Sequence, residues 1–213
     1  WKELEVAACD EILVDPLPAL LAETALEALR HANISLGHVK DKYKNFFLEK
    51  EDAKRWGIFV GTAIGNTYSM GKFLLNQTFY SLGATADNLE ERKLLRDKAK
   101  QMEIKPYKDL FALSKYMPAS LSAYLGMKFS LQGFQQVVSL ASASSLSSIG
   151  QAFSAIQNGV VDAALAGGGD YIHDDVGAYF AGFDSLNILS RSEDKNLVNC
   201  PFDKKSKGCL ISE

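Results

Sequence analysis

Gln136-Val-Val-Ser-Leu-Ala-Ser142-Ala-Ser-Ser-Leu-Ser-Ser-Ile-Gly150 is the stretch from which the fold is read. It opens on a β-branched pair, Val137 and Val138, which reads as a short buried strand. It then turns abruptly into small residues. Beyond Ser142 the apolar positions Leu146, Ile149, Phe153 and Ile156 follow helical spacing. Ser142 therefore falls where a strand hands over to a helix. First-turn amides of a helix lack internal partners, and the helix dipole favours negative charge there, so the position suits a nucleophile. The same residues are also readable as a Ser/Ala-rich helix start with no chemistry.

The flanks carry more pattern. Upstream lie Met117-Pro118-Ala119 and Gly126-Met-Lys-Phe-Ser-Leu131-Gln132-Gly133. Downstream lie Asn158-Gly159-Val-Val-Asp162-Ala-Ala-Leu-Ala166-Gly167-Gly168, then Ala181-Gly-Phe183, then Pro201-Phe202-Asp203-Lys204. Their order and spacing, clearest from Trp56 onward, resemble the β-ketoacyl synthases of fatty-acid and polyketide synthesis, which have the thiolase-like fold. The resemblance implies an α/β chain of the layered α-β-α-β-α family, its N-terminal half only. A mostly parallel sheet flanked by helices is expected.

The resemblance also implies acyl transfer and decarboxylative condensation on carrier-protein thioesters. It places the family's nucleophilic cysteine at Ser142. It implies acyl carrier protein as a partner, a homodimer or a ketosynthase-like heterodimer through the strand at Gln135 to Leu140, and no metal or cofactor. The two histidines of family catalysis belong to the second half, and nothing in this chain replaces them by motif.

Serine departs from that pattern. A serine hydroxyl is far less acidic than a thiol and needs an adjacent base, for which no motif is present. Three readings stay open: a working acyl acceptor, an engineered Cys→Ser change, or a catalytically silent partner of the chain-length-factor type. Gly133-Phe134 stands where the family has Gly-Pro, and Ser206-Lys207-Gly208-Cys209 where it often has Arg-Asp-Gly-Phe. Both departures favour natural divergence.

Composition bounds what else the chain could be. Its 213 residues are 47% hydrophobic and 23% charged, which suits one unit over 1–213 with a sizeable core. No apolar run is long enough for a membrane span, and Trp1-Lys-Glu-Leu-Glu lacks a secretion-signal layout. A net charge of −3 does not call for nucleic acid. Cys9, Cys200 and Cys209 have no framework spacing, so a reducing compartment is expected, the cytoplasm or an organelle matrix. Cys9 and Cys209 read as small hydrophobes.

Along the chain, Pro16 and Pro18 open a helix with a stripe at Leu21, Ala25 and Leu29. Leu36 to Lys54 reads as charged surface. Trp56 to Val60 reads as a strand with a Gly-rich turn after it, and Tyr68 to Leu82 as helical. Residues 87–103 read as a solvated helical insertion. Ala163 to Ala166 reads as another buried strand.

Weaker motifs are set aside. Ser69-x-x-Lys72 lacks the companion motifs of β-lactamases. Gly167-Gly-Gly-Asp170 lacks the Gly-Lys-Ser/Thr ending of a phosphate loop. His173-Asp174-Asp175 reads as a surface turn, and His31, His38 and His173 lack zinc-ligand spacing. Two basic clusters stand out: Lys204, Lys205 and Lys207 as a carrier-protein contact, and Lys93, Arg96, Lys98 and Lys100 as an ordinary solvated face.

Overall fold

The structure, a computed structural model, describes residues 16–40, 45–65, 67–86, 88–101, 115, 117–172 and 177–211. They divide into two compact units, one running to Tyr171 and one from Ile172.

The first unit is built on a strand buried along its whole length, β3 (Trp56–Gly61). A near-continuous apolar run is what a parallel strand covered on both faces requires. β3 pairs in parallel with β4 (Gln135–Val138) on one side and β5 (Ala163–Gly168) on the other. Gly61, its last residue, lies opposite Val138 and Gly168. Alternate β3 side chains serve opposite faces. Trp56, Ile58 and Val60 pack with helices α1 (Pro16–His31) and α4 (Ser120–Lys128) in the main core. Phe59 packs with Ala152 and Val161 on the opposite face, which is covered by α5 (Ser144–Gln157).

The α1 stripe keeps Leu29 but is shifted by one residue at its other two positions. Leu17, Ala22, Leu26 and Leu29 are the buried set, whereas Leu21 and Ala25 are only partly buried. Leu21 and Ala25 instead line an apolar cleft of about 290 Å3 between α1, β3 and β5. The Leu36–Lys54 stretch also departs from expectation. It carries an antiparallel hairpin, β1 (Leu36–His38) with β2 (Phe46–Leu48), whose Phe46 and Leu48 are buried. Phe46 stacks on Phe129 at 5.7 Å between ring centroids. The surrounding charges hide this three-residue apolar run.

β5 is less buried than expected, half-buried except at the exposed Ala166 and Gly168, because it lies at an edge of the described sheet. The most informative departure is in α5. Its sheet-facing residues are the small ones, Ser144, Ser148 and Ala152. The large apolar residues that mark its period point outward, with Leu146 75% and Phe153 66% exposed. Such a helix is apolar on the side away from its own sheet, as befits an element between two layers.

Helix α2 (Thr67–Thr85) precedes α3 (Leu89–Gln101), which lies within the expected 87–103 helix and buries no residue. Asn88 opens α3, its Oδ1 accepting the Glu91 N–H at 2.8 Å. The acids Glu90 and Glu91 in the first turn and Lys98 and Lys100 in the last complement the helix dipole. In the second unit, α6 (Ala178–Ser185) is followed by irregular chain that returns to bridge Leu189 to Cys209. No helix among the described residues is long and apolar enough to cross a membrane.

α5 meets the sheet where the strands carry no side chain. A β-carbon on Gly61 would fall 2.4 Å from the carbonyl of Ser144. Gly150, in the same helix, has open space around the equivalent point. Gly61→Ala should therefore destabilise by about 1–3 kcal/mol through overpacking. Gly150→Ala should be neutral or stabilising by up to ~1 kcal/mol on helix propensity. Urea titrations of the two variants check this contrast; equal midpoints would contradict the close seating of α5.

Candidate functional site

Ser142 stands between β4, which ends at Val138, and α5, which begins at Ser144. The turn is tight. Ala141 takes a left-handed conformation, φ +49°, which costs a non-glycine residue about 1–2 kcal/mol. The Ala143 N–H donates to Leu140 O and the Ser144 N–H to Ala141 O, both at 3.1 Å. The N-cap amide of Ala143 and the first helical amide, that of Ser144, are thus committed to the turn. Ser142 itself is exposed, and its hydroxyl has no hydrogen-bond partner among the described residues.

Ser144 holds this turn from beneath. Its buried Oγ accepts the Leu140 N–H at 2.8 Å. The single hydroxyl hydrogen has two carbonyls within reach, Ala141 at 2.6 Å and Thr62 at 3.1 Å. Ser148, on the next turn of the helix, likewise has two carbonyls within reach of its hydroxyl, its Oγ lying 2.8 Å from both Ser145 O and Gly167 O.

A second turn, residues 62–65, leaves β3 beside the first. The Thr62 N–H donates to Val138 O at 3.0 Å, and the Ser139 hydroxyl to Ala63 O at 3.3 Å. Asp170, just past β5, closes the group. One of its oxygens accepts from the Thr62 hydroxyl at 2.7 Å and from the Ile64 N–H at 3.0 Å. The Ala63 N–H lies 3.0 Å from both carboxylate oxygens. Three strand ends thus converge at the carboxyl edge of a parallel sheet, the place where open α/β sheets carry their sites.

The chemistry of the convergence is limited by what touches Ser142. His31 ends α1, and His38 lies on β1 against Phe46, 4.8 Å between ring centroids. Neither bonds the Ser142 hydroxyl. His173, Asp174 and Asp175 lie outside the described residues, as does Cys9. Ser69 and Lys72 fall within α2, but their side chains are not among those described. Cys209, read as a small hydrophobe, is exposed, and Cys200 is half-buried. Among the described residues, no three His, Cys, Asp or Glu side chains group to hold a metal ion.

Thr62, Ser144, Ser148 and Asp170 escape a reading from motifs. The one available signal is a Gly-Thr at the end of β3 facing a Gly-Gly-Gly-Asp at the end of β5. It becomes visible only once the two strands are known to be neighbours.

The family model described as Beta-ketoacyl synthase, N-terminal domain, matches residues 8–213. The chain belongs to that family. A Streptomyces halstedii protein described as a polyketide beta-ketoacyl synthase is 25% identical over 194 residues, which is 90% of this chain and 42% of the relative. Among solved structures, a beta-ketoacyl synthase from Burkholderia phymatum STM815 superposes with a TM-score of 0.64 at 19% identity, over 96% of this chain and 41% of that one. The AntDE:AntF structure is described as a type II PKS acyl-carrier protein in complex with its ketosynthase bound to the hexaketide. It superposes with a TM-score of 0.60 at 18% identity, over 87% of this chain and 44% of that one. The fold is thus the thiolase-like α/β fold of ketosynthases. The chain spans less than half the length of each of these relatives.

Proposed function

We propose that residues 1–213 act as the N-terminal ketosynthase-like domain of a polyketide-forming system, with Ser142 at the position that receives the acyl group. The observation that carries this reading is the exposed Ser142 at a strand-to-helix turn, in a chain whose residues 8–213 match the family. In acyl transfer the attacking side-chain atom bonds the thioester carbonyl carbon, the carbon–sulfur bond breaks, and the attacker's proton ends on the leaving thiol. With serine, that proton needs a base to accept it first.

A second reading is supported by the same site. The Ser142 hydroxyl has no base against it among the described residues, which favours a silent partner subunit of the chain-length-factor type. A small acyl thioester separates the two. On the silent reading, the parent chain stays unacylated at Ser142, while Ser142→Cys becomes acylated there and reacts with iodoacetamide faster than Cys200 or Cys209, because a helix start lowers a thiol's pKa from about 8.5. Acylation of Ser142 in the parent would favour the enzyme reading instead. Position 142 as the least reactive thiol of a folded Ser142→Cys chain would sink both.

Partners follow from charge and from the open strand. Carrier proteins are expected to be acidic, and Lys204, Lys205 and Lys207 are an exposed basic cluster in the second unit. β4 pairs on one side only among the described residues, and Gln135 at its start is exposed. An open strand edge is a template for pairing, which supports self-association or pairing with a ketosynthase-like subunit. Sedimentation velocity addresses both. The expected result is a dimer alone and, with acyl carrier protein, a heavier complex that weakens with salt and with Lys204→Glu/Lys205→Glu. A monomer alone, or binding indifferent to the two charge reversals, would remove the corresponding partner.

A further inference from the structure

We propose that Asp170 is a positioning residue for residue 142: through the turn 62–65, its carboxylate fixes the turn that presents that position. The proposal rests on the reading of 142 as the acyl-accepting position.

Asp170 leaves every donor of its neighbouring turn satisfied. The Thr62 hydroxyl gives its hydrogen to Asp170 at 2.7 Å, and its lone pair receives the Gly65 N–H at 2.8 Å. The N–H groups of Ala63 and Ile64 go to the carboxylate. With these donors drawn to one side, the turn presents its carbonyls to the other. Thr62 O meets the Ser144 hydroxyl and Ala63 O meets the Ser139 hydroxyl. Both flanks of residue 142 therefore touch a turn that Asp170 holds, the Ser144 hydroxyl sharing its one hydrogen between Thr62 O and Ala141 O. Hydrogen bonds to a carboxylate are among the stronger ones, and these lie partly out of water.

The arrangement answers a specific need. Ala141 sits in the left-handed region without being glycine. Such a residue persists only where its surroundings over-determine it. Ser144 Oγ takes the Leu140 N–H and lies within reach of Ala141 O and Thr62 O, and Thr62 Oγ reaches Asp170; together these contacts do so. A carboxylate used only to stabilise the fold would leave the presentation of residue 142 unchanged when weakened.

The test uses the full chain carrying Ser142→Cys, labelled with iodoacetamide across pH 6–10 and read site by site by mass spectrometry. Cys200 and Cys209 are internal references. Adding Asp170→Asn should lower the labelling of position 142 relative to Cys209 by about fivefold or more, the factor that roughly 1 kcal/mol of lost positioning gives. The midpoint of its pH profile should rise toward the free-thiol value of about 8.5. Thr62→Val, which removes one bond to the carboxylate and the one to Gly65, should shift both readings the same way and carries the test if Asp170→Asn does not fold. An unchanged ratio and midpoint in a folded variant, even with a lower urea midpoint, would overturn the proposal. Failure of the Ser142→Cys chain itself to label preferentially at 142 would instead reject the reading on which it rests.

Discussion

The carboxyl end of β3 has no room for side chains, and the rest of the first unit is arranged around that restriction. A β-carbon on Gly168 would lie 2.0 Å from Gly61 O and 2.6 Å from Ser145 Oγ. One on Gly61 would meet the backbone of Ser144. The two glycines sit opposite each other on adjacent strands, so the start of α5 rests directly on the sheet backbone. Because α5 is so close, its underside can carry only Ser144, Ser148 and Ala152. Because two of those are serines, their buried hydroxyls must find carbonyls, and those within reach belong to Thr62, Ala141, Ser145 and Gly167. The polar bonds that shape the Ser142 turn thus follow from the close packing.

Much of this was legible in the chain. Trp56-Gly-Ile-Phe-Val60 announces a buried parallel strand by its unbroken apolar character. Gln136 to Gly150 announces a strand-to-helix passage by its change of period. What was not legible is instructive. Phe46-Phe-Leu48 is hidden by surrounding charge, although Phe46 and Leu48 join Phe129 and Leu131 in the same core. The period in α5 identified a helix correctly but not which of its faces meets the sheet. Leu146, Ile149 and Phe153 give the stronger signal, yet the glycines of β3 and β5 admit only small residues. Asp170 was invisible for a topological reason: its partners lie 106 to 108 residues away in sequence.

The site is well formed in its frame and sparse in its chemistry. The backbone of the turn is tied at Leu140, Ala141, Ala143 and Ser144, while the residue it displays carries a hydroxyl with no base against it among the described residues. A thiol at that position would need less help, since it ionises within reach of neutral pH and a helix start favours the anion. The scaffold of a nucleophile position and the nucleophile itself are therefore separable here, and the family membership speaks to the scaffold.

Backbone hydrogen exchange tests the frame most directly. The N–H groups of Ala63, Ile64, Gly65 and Leu140 belong to no helix or strand, yet each is bonded to a side-chain oxygen of Asp170, Thr62 or Ser144. Exchange measured residue by residue should find them protected to a degree comparable with the paired amides of β3. If β3 is protected while these four exchange at the rate of an open loop, the hydrogen-bonded frame around residue 142 does not exist in solution.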